Sequence, residues 1–110
     1  MTYPWLPLEL IEPAIPLMED WGVSEVARSH RGFLTAFQRA DGDPRALGRD
    51  SYSGQHWVNR RRGFIARHLP QGREAGWWEG GEPTRRHLAL VAWAYTPTPV
   101  KWARFVERRL

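Results

Sequence analysis

A chain of 110 residues holds one hydrophobic core and is too short for two ordinary domains. It has no cysteine, which excludes disulfides, thiolate metal sites and thiol nucleophiles, and its 42% hydrophobic content with seven tryptophans argues against intrinsic disorder. Residues 1–27 carry five of the twelve acids and no base, which leaves seven acids against all sixteen bases, a net of +9, on residues 28–110.

The expected organisation is one helical domain over residues 1–110, with an acidic, proline-rich segment of about residues 1–22 packed on a basic body. That segment has no Lys or Arg ahead of an apolar run, so it does not read as a signal peptide. The longest apolar run, Leu88–Tyr95, is far short of the ~20 residues of a membrane helix. The expected location is therefore the cytoplasm. Pro13 breaks any continuous helix here, so the pattern predicts a short turn near Pro7–Glu12. A helix then follows from Pro16 to Trp21, capped by Gly22.

Ser24 is placed to cap a short helix through Arg28, and Ser29 a second one through Ala40. Val26, Phe33, Phe37 and Ala40 recur at helical spacing, with Leu34 beside them. Gly22–Arg28 resembles the first helix of a helix-turn-helix. However, Gly32 falls five residues after Ala27, one later than that motif's spacing, so an ordinary helical hairpin is expected. Asp41-Gly42-Asp43 reads as a turn, and Asp43 before Pro44 as the start of a short one over Pro44–Leu47.

The clearest helix is expected from Gly54 to Leu69, with Ser53 as its cap and Pro70 as its end. Trp57, Val58, Phe64, Ile65 and Leu69 form its apolar stripe, and Arg61 lies near that stripe. Residues 71–81 are rich in glycine and predict a mobile loop. A buried central helix, apolar on nearly all sides, is expected over residues 83–95. The last helix begins at Pro99 with Thr98 as cap. Val100, Ala103, Val106 and Leu110 should face inward there, and Lys101, Arg104, Arg108 and Arg109 outward. No segment alternates as a strand does. The fold class is thus all-α, a bundle of about five short helices around the segment 83–95.

No catalytic, metal or cofactor signature emerges. The four histidines form no i, i+4 pair of a helical zinc site. The acid pairs Glu9/Glu12 and Glu79/Glu82 are sequence neighbours with no second feature to place them across a cleft. Ser51 and Ser53 near His56 are better explained by helix capping than by nucleophile chemistry. Fifteen of the sixteen bases are arginine, which reads first as a GC-rich genome. The basic body nonetheless suits a polyanion. The expected function is a non-enzymatic module for DNA or RNA, a small bacterial or phage factor. Arg60, Arg61, Arg62, Arg67, Arg85 and Arg86 would contact phosphate, and Trp77 or Trp78 would stack. The alternative is a protein-interaction or regulatory domain, with Trp77 and Trp78 anchoring an acidic protein partner.

Overall fold

The prolines of the N-terminal segment allow only short helical pieces. The computed structural model describes residues 2–110, and Met1, the first residue of the expected acidic segment, lies outside them. Two 3-10 turns, Leu8–Leu10 and Glu12–Ala14, lead into helix α1, Ile15–Trp21, which Gly22 ends. Leu6, Ile11, Ala14 and Met18 from this stretch are buried in the main hydrophobic cluster. The contact is apolar rather than ionic. Glu9, Glu12, Glu19, Asp20 and Glu25 are all exposed, and none of them takes part in an ion pair among the described residues.

Helix α2, Glu25–Arg28, is a single turn, and α3 covers Phe33–Arg39. α2 starts after Ser24 and ends at Arg28 as expected, whereas α3 starts at Phe33, after Gly32 rather than Ser29. Ser24 sits in the left-handed region and makes no side-chain cap, and Ser29 falls in the connecting turn, where its carbonyl accepts from the Thr35 hydroxyl. Phe33, Leu34 and Phe37 are buried, whereas Val26 is exposed. α3 therefore spends its apolar face on the core and keeps Arg39 exposed at its end. The turn at Pro44–Ala46 is capped by the Asp43 carboxylate, which accepts from the Arg45 N–H.

Helix α4 runs from Trp57 to Ala75, starting three residues later and ending six residues later than expected. His56, not Ser53, caps it, with Nδ1 accepting from the Val58 N–H at 3.2 Å. Pro70 lies inside the helix instead of stopping it. A proline removes the bond to the carbonyl four residues back, here that of Ala66. Ala66 and Pro70 are both exposed, so water can satisfy that carbonyl.

The expected mobile loop is structured. Its first five residues belong to α4, and the remainder holds strand β1, Trp78–Glu79, and the turn to strand β2, Glu82–Pro83, which lies just beyond it. They pair antiparallel, Trp78 opposite Pro83 and Glu79 opposite Glu82. Gly80 and Gly81 form the two-residue turn with φ of 59° and 79°. A hairpin turn of this length favours positive φ at both positions, which only glycine takes without cost. The protein is mostly helical with this small sheet, and the all-α expectation is corrected accordingly.

Helix α5, Arg85–Val91, begins at Thr84, whose hydroxyl accepts from the His87 N–H. It packs against α1 and α4. His87, Leu88, Leu90 and Val91 are buried, as are Ala92, Trp93 and Ala94 beyond it, so this stretch is the centre of the core. Phe33, Trp93, Phe64 and His68 stack as a column, with successive centroids 4.7, 4.8 and 3.9 Å apart and planes within 18°. Helix α6, Pro99–Arg109, buries Trp102, Phe105 and Val106 and leaves Val100 66% exposed. Its inward face is turned by about one residue, roughly 100°, from the expected one. Burying an indole and a phenyl ring removes more apolar surface than burying Val100 and Leu110.

Candidate functional site

Successive residues on a helix are about 100° apart, so Arg60, Arg61 and Arg62 point in three directions. Arg60 pairs with the buried Asp50 at 2.7 Å and lies over the rings of Trp57 and Trp93. Asp50 also accepts from the Ser53 hydroxyl and from the N–H groups of Tyr52 and Ser53. These bonds, with Arg60 beside them, hold its carboxyl down at about 2. Arg61 is only 3% exposed and is removed from any phosphate-contact surface. Its guanidinium donates to the carbonyls of Tyr3, Pro4, Trp93 and Ala94 at 2.8–2.9 Å, with the Trp5 ring 3.8 Å away. Burial pushes it down to about 10, still cationic at neutral pH. Of the four expected arginines on α4, Arg62 and Arg67 are exposed.

Arg86 is exposed and donates to Gln71, one turn beyond Arg67 on α4. Arg85 instead donates to the Trp21 carbonyl at the end of α1. The predicted arginines therefore do not share one patch. The two tryptophans also separate, because successive residues in an extended segment project to opposite sides. Trp77 lies against α4 at Gly72, where a Cβ would come within 1.9 Å of the ring, and it joins the cluster of Ile65, Leu69 and Leu90. Trp78 turns towards α6 and packs on Trp102 and Phe105, and its indole N–H donates to the Thr98 hydroxyl at 3.1 Å.

His87 stands between them. A carbonyl can only accept, so Nδ1 carries the proton and donates to the Trp77 carbonyl at 3.0 Å. Nε2 then accepts from the Thr96 hydroxyl at 2.7 Å, whose oxygen accepts the Thr98 N–H. Burial among Trp77, Trp78 and Trp102 pushes this histidine down to about 4. It is a neutral, fully satisfied core residue.

The rotation of α6 creates a surface that the sequence pattern named only as outward-facing. Lys101, Arg104 and Arg108 fall at i, i+3 and i+7, one stripe of the helix. They border a groove of about 680 Å³ between α6 and the hairpin, with Trp78, Phe105 and Val100 supplying apolar wall. The Lys101 ammonium sits 4.7 Å from the Trp78 ring centre. Arg109 also lines the groove and forms an ion pair with Glu82 of β2. Among the described residues no acid lines the groove itself. The sequence signal was the i, i+3, i+7 spacing of the bases, which gains meaning only once Trp78 is known to pack beside it.

Among the described residues, no three of His, Asp and Glu come together as metal ligands. Ser51 and Ser53 bond Arg31 and Asp50 and not His56. No helix among the described residues is long and apolar enough to cross a membrane. No known protein family, curated protein or solved structure matches the chain.

Proposed function

We propose that this protein is a non-enzymatic binding module for single-stranded nucleic acid, with α6 and the β-hairpin as its contact surface. The observation that carries this reading is the Lys101–Arg104–Arg108 stripe beside Trp78. Three cations along about 10 Å of helix offer phosphate contacts. The half-buried Trp78 ring, held by its bond to Thr98, offers a base a rigid stacking edge. Lys101 covers that ring in the free protein, so it would exchange the ring for a phosphate on binding. Arg62, Arg67, Arg85 and Arg86, the exposed members of the expected set, would add long-range attraction rather than fixed contacts.

The test is a titration with single-stranded DNA, duplex DNA and RNA of mixed sequence, followed by tryptophan fluorescence at about 50 and 200 mM salt. Micromolar or tighter binding to single strands, falling steeply with salt, is the expected result. Absence of binding at the lower salt overturns the reading and leaves an acidic protein partner as the candidate.

A further inference from the structure

A second cavity, of about 360 Å³, lies between α3 and the segment 46–51 and shares no residue with the α6 groove. His30, Arg31, Arg39 and Arg49 reach its wall, and no aspartate or glutamate does. Two of these side chains are held in place. Arg31 donates to Ser51 through Nε and Nη2 at 2.8 and 3.2 Å and stacks 3.5 Å from the Tyr52 ring centre. Arg49 donates to the Gly54 carbonyl at 2.9 Å. A guanidinium has five N–H donors, so both keep donors to spare. Arg39 and His30 make no side-chain hydrogen bond or ion pair among the described residues. The wall also includes Trp57, 5% exposed, whose indole N–H has no protein acceptor and is not sealed from solvent.

Four basic residues lining one cavity without an aspartate or glutamate among its described lining favour an anion with several acceptor oxygens. A carboxylate satisfies one arginine fork, whereas a phosphate group offers three terminal oxygens to several donors. The volume, at the low end for a ligand pocket, leaves room for the small group that carries the phosphate. We propose that this cavity is a phosphate site, with Arg39 and Arg49 as its principal ligands, Arg31 and His30 beside them, and the Trp57 N–H as a neutral donor. The inference stands apart from the reading of the α6 groove.

The experiment titrates the full ¹⁵N-labelled chain with inorganic phosphate and follows the Trp57 indole resonance and the amides of residues 31–49. Saturable shifts are expected at a Kd of about 1 mM or tighter. Arg39 is exposed and its side chain bonds nothing among the described residues, so R39A keeps the fold. It should weaken phosphate about tenfold or more, with H30Q weakening it less and R104A not at all. No saturable shift up to about 20 mM, or an unchanged Kd in R39A, would overturn the site. Two further ligands identify the source of the phosphate. If a 5′-phosphate tightens oligonucleotide binding in the parent protein but not in R39A, the ligand is a strand end. If it has no effect while glycerol phosphate binds and R39A abolishes that, the ligand is a small phosphomonoester. Either result supports the site. Failure of nucleic acid to bind α6 would leave the phosphate titration untouched.

Discussion

Arg61 carries a charge into the core where no carboxylate meets it. Four main-chain carbonyls do instead, two from the N-terminal segment and two from the turn after α5. One side chain thus ties residues 3–4 to residues 93–94. Truncation would leave the buried Trp93 carbonyl without a donor, leave Ala94 with only the Leu6 N–H, and release the Tyr3 and Pro4 carbonyls to water, each unreplaced bond costing about 1–3 kcal/mol. R61A should therefore lose about 3 kcal/mol or more, a fall in Tm of roughly 10–20 °C in thermal unfolding. R61K should recover only part of this, since three ammonium donors cannot serve four carbonyls. The sequence placed Arg61 near the apolar stripe but could not show what its head would meet, because its partners lie 32 to 58 residues away. His87 makes the complementary prediction. Its folded value of about 4 lies below the ordinary 6.5, so the unfolded chain binds the proton more readily. Its contribution is fully present above pH 6.5 and is lost as pH falls towards 4, by about 3 kcal/mol. Urea unfolding of the parent protein and H87Q at pH 7 and pH 4 isolates this share. The gap between them should narrow by that amount at pH 4, and a constant gap would refute the assignment.

Local rules located most elements, and the departures have physical causes. Asp43, Thr84, Gly22 and Pro99 act at element ends as their residue types suggest. Pro70 does not, because the bond it removes falls on the exposed side of α4, while Leu69 and Gly72 on the other side pack inward. Burial on that inner face holds the last turn helical against the proline's preference. P70A should therefore restore a bond to the Ala66 carbonyl and stabilise the protein by about 1–2 kcal/mol. That is the helix cost of proline less its restriction of the unfolded chain. A lowered midpoint in urea for P70A would mean that the proline is needed where it stands. The Gly80-Gly81 pair was a legible hairpin signal, but flanking strands of two residues are too short for alternation to show. The face of α6 was misjudged for a different reason. Periodicity weighs residues by type, and the seat for Trp102 is set by Leu10, whose carbonyl accepts its indole N–H from the other end of the chain.

Across the whole molecule, the described residues form three ion pairs for sixteen bases, so the positive surplus of residues 28–110 stays largely unneutralised. The sequence made that surplus visible but not its division. The run Arg60–Arg62 looked like the densest cluster, yet the helix splits it into an ion-paired, a buried and an exposed side chain. The α6 stripe has fewer adjacent bases but keeps them on one face beside an aromatic ring. Two distributions of binding energy are therefore distinguishable. If contacts are made at the groove, K101A/R104A/R108A should weaken single-strand binding at least tenfold and flatten the salt dependence by about two units, at roughly 0.7 per phosphate. R62A/R67A, which removes charge without touching the groove, should change the slope little. If both variants lose affinity in proportion to the charge removed, binding belongs to the positive body as a whole and the groove is not a site. The comparison is informative because the side chains replaced in both variants are exposed and outside the core, so a difference between the two reports position rather than folding.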